Sequence, residues 1–269
     1  MNGLQDPDAF KRLVAALQPW LDQVVIVGGW AHQLYRLHPE AQQLEYQPLG
    51  TLDADVAVPA TLPVAEPDIR ERLLAYGFTE EFLGDDHPPA THYRLGGAAS
   101  AFYAEFLTPL IGSEYDRNQK RKATAEVAGV VSQQLRYIEL LLHHPWWINL
   151  ESGGSGAKIQ IANPVSYLAQ KILIHGKRER GDRAKDILYM HDTLEVFGAR
   201  LQEMRELWRN VVAPKLNVRS ATKVSRAAEV LFAELSDDIR RASEISAERA
   251  LSPQAIREAC HFGFIQLFG

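Results

Sequence analysis

The chain has 269 residues, 46% of them hydrophobic and 23% charged, enough to bury one large core or two modest ones. No apolar run approaches the roughly 20 residues of a membrane helix, and the opening MNGLQDPDAFKR is too polar for a secretory signal, so a cytoplasmic protein is expected. A net charge of −5 excludes a surface that is basic all over, and the single cysteine, Cys260, excludes an internal disulfide or a cysteine-built zinc site.

Phe10, Leu13, Val14 and Leu17 recur at helical spacing, and Pro19 limits that helix before the apolar run Val24 to Val27, which reads as a buried strand. Gly28 and Gly29 end the strand and turn the chain into WAHQLYRLH, of helical character. Leu52 to Val58, closed by Pro59, predicts a second strand, and Ile69 to Tyr76 a helix. HYRL (92–95) and AFYAEFL (101–107) predict two strands joined at Gly96-Gly97. SQQLRYIELLL predicts a helix, WWINL and AKIQIA short strands around Gly153-Gly154-Ser155-Gly156, and everything beyond Pro164 successive amphipathic helices. The expected class is α/β in the α+β sense: a mixed-sheet lobe over 1–125 and a mainly helical lobe over 126–269, with no internal repeat.

In TLDADVAVP, Asp53 and Asp55 are two apart on a predicted strand, so the pleat points both carboxylates to one face and Leu52, Ala54 and Val56 to the other. Two such carboxylates repel unless a cation sits between them, and hard oxygen ligands suit Mg²⁺ or Mn²⁺. A solvated strand end is the alternative for that pair alone. In AFYAEFLTP, Glu105 shares a strand face with Tyr103 and Leu107, an isolated acid in an apolar stretch. It needs a neighbouring metal or an ion pair, for which Arg94 on the preceding strand is one candidate. As a third carboxylate it would ligate metal or act as general base. The Gly28-Gly29 turn has no side chains to keep a triphosphate from the backbone.

VVIVGGWAHQL, TLDADVAV and AEFLTP resemble the three signature elements of the polymerase-beta-type nucleotidyltransferases. The resemblance implies a mixed-sheet fold binding a metal-bound nucleoside triphosphate, with Asp53, Asp55 and Glu105 as metal ligands. It also implies Gly28, Gly29, Trp30 and Thr51 near the nucleotide; Thr51 stands where the family often has an arginine. Within that superfamily, ANPVSYLAQKILIHGKRERGDRAKDILYMHDTLEVF resembles a segment of the AbiEii- and MenT-like toxin nucleotidyltransferases, matching at Lys171 and Asp186. That likeness implies catalytic parts for Lys171 and Asp186, nucleotide contact for Lys171, an RNA acceptor such as a tRNA 3′ end, and a cognate antitoxin as partner. On its residues alone, Lys171 is one cation on an apolar helical face that would snorkel to solvent or reach a triphosphate. Two other readings stand beside this one: an antibiotic-type adenylyltransferase acting on a small molecule, and a non-catalytic module that binds nucleotide or protein.

The interval from Gly29 to Asp53 is long, with an insertion around PEAQQLEYQPLG. Basic residues cluster at Arg117, Lys120, Arg121, Lys122 and at Lys177, Arg178, Arg180, Arg183, Lys185, where a solvated face competes with contacts to RNA phosphates. His143-His144-Pro145-Trp146-Trp147 reads as a helix end leading into a core strand, the GGSGAK stretch lacks the spacing of a phosphate loop, and Cys260 reads as helix core. His87, Pro88, Pro89 and His92 form an expected loop without an assigned role.

Overall fold

The alternation of Ala54 and Val56 with Asp53 and Asp55 builds the middle of a nine-stranded mixed sheet, whose buried face takes the apolar set. The computed structural model describes residues 6–96, 102–115, 117, 119, 121–150, 156–245 and 249–269. Gly97, Lys120, Gly153, Gly154 and Ser155, which carry parts of two expected turns and one basic cluster, lie outside these residues. The chain divides into two units, one of residues 1–37 and 50–162, the other of 38–49 and 163–269.

Among the described residues the first unit carries all the strands: β1 (Val25–Ile26), β2 (Asp53–Ala57), β3 (Phe78–Leu83), β4 (Ala90–Leu95), β5 (Tyr103–Pro109), β6 (Thr124–Val127), β7 (Val130–Leu135), β8 (Trp146–Asn149) and β9 (Lys158–Ile161). Their order is β3-β4-β5-β2-β1-β9-β8, with the β6–β7 hairpin attached to β5. β2 runs antiparallel to β1 and parallel to β5. On its other edge β5 changes neighbour: Tyr103 and Ala104 pair with β4, and Phe106 to Pro109 pair with β7. The α-helices of the unit, among the described residues, are α1 (Pro7–Ala16), α2 (Gly28–Leu34), α3 (Ile69–Ala75) and α4 (Ile138–Leu141). The Asp6 side chain caps α1 at Ala9 N, and Arg72 of α3 donates to the carbonyls of Ala15 and Ala16 where α1 ends.

Two expectations fail here for identifiable reasons. SQQL, expected at the start of a helix, is strand: Val130 and Ser132 are buried between β5 and β6, and Ala128 and Gly129 (φ 49° and 86°) make the two-residue turn that a tight hairpin needs. The strand is polar along Ser132-Gln133-Gln134, which hides its period. Trp147, expected in the core, is 39% exposed beneath the Lys158 ammonium, 4.9 Å from its ring centre. β3 had no counterpart in the sequence reading, because FTEEFL alternates around two glutamates on an edge strand.

The second unit is helical, as expected beyond Pro164: α5 (Pro164–Ile174), α6 (Arg180–Phe197), α7 (Leu201–Leu207), α8 (Val218–Leu231), α9 (Asp237–Ile245) and α10 (Pro253–Phe268). α10 packs on α6, α7, α8 and α9. Its Phe264 stacks on Phe232, its Phe268 meets Trp208 edge-on, and Cys260 is fully buried. Gly263 lets α10 approach α6, since a Cβ there would lie 2.8 Å from a Leu194 methyl. The division falls between Ala162 and Asn163, beyond the expected 125, because β6 to β9 all join the sheet.

The insertion after α2 belongs to the helical unit. Gln42 N donates to Val196 O at 2.8 Å, Arg200 pairs with Glu40 at 2.7 Å, and the Tyr46 ring lies 3.5 Å from the Arg249 guanidinium. Residues 38–49 are thus a strap across α6, which accounts for the long interval before Asp53.

Candidate functional site

β2 and β5 are parallel with Asp53 opposite Tyr103 and Asp55 opposite Glu105. Because partners across a ladder project to the same side, the three carboxylates share one face of the sheet. Ala54, Val56 and Ala104 on the opposite face are fully buried and anchor the strands. Thr51 donates its hydroxyl to Asp53 Oδ1. The Gly-Gly turn meets the second aspartate: Val27 N donates to Asp55 O at 3.0 Å, and a Cβ added to Gly28 would stand 1.8 Å from Asp55 Oδ2. Gly28 also has φ +61°, so the position requires glycine both for its backbone and for the space Asp55 occupies.

Trp30 leaves this set. Its ring is fully buried and stacks on Phe10 with centroids 4.1 Å apart, with Phe102 edge-on, so its side chain offers nothing to a nucleotide.

Glu105 is held, but not by Arg94. His92 Nε2 lies 2.7 Å from Glu105 Oε1, and Gln133 Nε2 donates to Oε2 at 2.8 Å. Arg94 pairs instead with Glu81 at 2.5 Å and lies over the Tyr103 ring. Both His92 and Arg94 sit on the same face of β4, and only the register selects between them: Tyr93 opposite Ala104 sets His92 beside Glu105. Burial pushes the Glu105 carboxyl above its usual range, His92 opposes that, and the charge of Asp53 adds to it. Tyr103 is pushed up to about 12 by burial and by the fields of Asp53, Glu105 and Asp55. The negative charge of this face is therefore felt by the two groups in its midst. The sequence marks neither His92 nor Gln133: His92 shares its strand face with Arg94 and only the register separates them, and Gln133 lies in a polar strand that lacks apolar alternation.

In the second unit, Lys171 of α5 and Asp186 of α6 form a buried pair at 2.6 Å, with Arg178 Nε 3.3 Å from the other Asp186 oxygen. The Lys171 ammonium also lies 5.4 Å and 5.3 Å from the ring centres of Tyr167 and Tyr189. This corrects the picture of a lone cation snorkelling along an apolar face. Lys171→Met should cost on the order of 3 kcal/mol, because it leaves a buried aspartate with Arg178 as its remaining countercharge. Denaturant unfolding checks this; stability within about 0.5 kcal/mol of the parent would show that the pair contributes nothing to the fold.

His191, Asp192 and Glu195, also on α6, bring one ligand atom each within 4.8 Å of one another. The donors suit a metal, but Arg249 already supplies a countercharge, at 2.9 Å and 2.6 Å from the two oxygens of the fully buried Asp192. Tyr46 donates into the same carboxylates. The basic stretch after α5 is similarly engaged: Arg180 with Asp237 at 3.3 Å, Arg183 with Asp238 at 2.8 Å, Arg178 with Asp182 and Asp186.

The mixed sheet thus carries an aspartate pair beside a glycine turn, with a third acid on the neighbouring parallel strand, as the sequence resemblance implies. The chain belongs to a nucleotidyltransferase family, which matches residues 8–213. Among solved structures it is similar to an antigenic nucleotidyltransferase-like protein from Paracoccidioides brasiliensis, at 17% identity over 76% of this chain and 92% of that one, with a TM-score of 0.37. No curated protein sequence matches it significantly. Among the described residues no helix is long and apolar enough to cross a membrane.

Proposed function

We propose that the first unit binds a nucleoside triphosphate with Mg²⁺ or Mn²⁺ and transfers its nucleotidyl group to an acceptor hydroxyl. The observation that carries this is the register setting Asp55 beside Glu105, with Asp53 on the same face and Gly28 against Asp55. The donor set fits a hard divalent cation: Asp53 and Asp55 share one face with Glu105 beside them, and the Glu105 carboxyl is raised by burial first and then by the charge of Asp53. Such an ion, held by these carboxylates, would supply positive charge against the triphosphate.

The chain's own residues have separable parts. Asp53, oriented by Thr51, and Asp55, seated against Gly28, hold the metal-bound triphosphate. Glu105 is the third carboxylate and takes the proton of the attacking hydroxyl. The acceptor oxygen bonds to the α-phosphorus as its bond to the pyrophosphate oxygen breaks, and pyrophosphate leaves.

RNA, in particular a tRNA 3′ end, is the acceptor favoured by the toxin-like resemblance at Lys171 and Asp186, and a neutralising antitoxin would be the matching partner. The ion pairs within Arg178 to Arg183 leave less free positive charge for RNA phosphates than the sequence suggests. Incubation with each labelled nucleoside triphosphate, Mg²⁺ and total cellular RNA should label the RNA fraction. Label in no macromolecular or small-molecule fraction, with any of the four nucleotides, would sink the reading.

A further inference from the structure

β5 is paired on one edge with two different strands, and Glu105 stands at the changeover. Antiparallel β4 ends its pairing at Tyr93 and Ala104, parallel β7 begins at Phe106 and Ser132, and the gap between them brings a donor to each side of one carboxylate. A glutamate at an uninterrupted ladder position would have strand neighbours of only one kind there. The imidazole of His92 reaches Oε1 from β4 at 2.7 Å, and the amide of Gln133 reaches Oε2 from β7 at 2.8 Å.

His92 is itself fixed. Its ring stacks on Tyr103 with centroids 4.3 Å apart and planes 19° from parallel. Arg94 lies over the Tyr103 ring at 5.3 Å and pairs with Glu81, whose Oε2 is 3.7 Å from His92 Nδ1. A glutamate has three rotatable side-chain bonds, and two donors from different strands remove that freedom for both oxygens at once.

We infer that His92, with Gln133, is a positioning residue that holds the Glu105 carboxylate in the orientation needed to accept the proton of the acceptor hydroxyl. The inference rests on the proposed reading of the site and adds to it the residues that aim its third acid. A loosened glutamate would leave nucleotide binding at Asp53 and Asp55 intact and slow the chemical step.

His92→Phe keeps the stack on Tyr103 and removes the donor, whereas His92→Gln removes the stack and keeps a donor of similar reach. His92→Phe should lower kcat about 10- to 100-fold, with KM for the nucleotide changed by less than about two-fold. The Kd for Mn²⁺-nucleotide, measured by titration without acceptor, should stay the same. His92→Gln should recover most of kcat, and Gln133→Leu should reproduce the loss by removing the other donor. Unchanged kcat in folded His92→Phe, or an equal fall in His92→Gln, would overturn the inference. If His92→Phe does not fold, an unchanged kcat in Gln133→Leu overturns it. Asp53→Asn runs alongside: inactive Asp53→Asn with fully active His92→Phe defeats the positioning role alone, whereas active Asp53→Asn defeats the reading of the site and this inference with it.

Discussion

Replacing Asp53 and Asp55 together by asparagine should lower nucleotidyl transfer on the order of 10³-fold or more while leaving the fold intact. Both residues are only partly buried, and their strand is anchored by Ala54, Val56 and Ala57 on its opposite face, so the apolar packing is untouched. Two like charges disappear from a face where Glu105 and Tyr103 both register negative potential. The apoprotein should therefore melt no lower than the parent, and slightly higher at low salt. With the parent, Mg²⁺ and nucleotide at about 100 times Kd should stabilise by about 2.7 kcal/mol, visible as a rise in Tm, and the double variant should lose that rise. An undiminished shift would show that metal and nucleotide bind elsewhere.

The local pattern of the site was legible because it depends on short-range periodicity. The two-residue spacing of Asp53 and Asp55 fixes their common face in any strand, and Gly28 needs only its place after Val24 to Val27. The convergence of Glu105 on Asp55 was legible as an isolated acid among Phe102, Tyr103 and Phe106 that required a partner. Its actual partners were not, since Arg94 and His92 share a strand face and the sequence contains nothing that sets the register of β4 on β5. Gln133 was hidden further, because a polar strand paired on both sides lacks the apolar alternation that would reveal it.

The same distinction applies in the helical unit. Lys171 and Asp186 are fifteen residues apart on successive helices, and their types and order suggested a joint part without stating that they bond to one another. Asp192 and Arg249 are separated by 57 positions, with no motif to link them. Tyr46 reaches them from an insertion between two elements of the other unit. Buried polar groups on α6 had to find partners somewhere, and tertiary folding, not sequence spacing, decided which.

Glu105→Gln should cut transfer by orders of magnitude with little loss of stability. The carboxyl is raised in the fold above its usual value, so ionisation opposes folding as the pH climbs through that raised value, and the neutral amide removes this penalty at pH 7. Against this, the amide oxygen can accept from only one of His92 and Gln133, and its NH₂ group faces the other donor, a mismatch of about 1 kcal/mol. The two effects oppose each other, so Tm should move by only a few degrees for a unit of this size. The chemical step has no such compensation, since an amide neither binds a proton at neutral pH nor adds charge to the acidic face. A purely structural role for Glu105 predicts the reverse, with a fall in stability larger than that mismatch and full activity in whatever remains folded. A thermal melt beside a transfer assay on this one variant separates the outcomes, and a marked drop in Tm with activity retained would remove Glu105 from the chemistry.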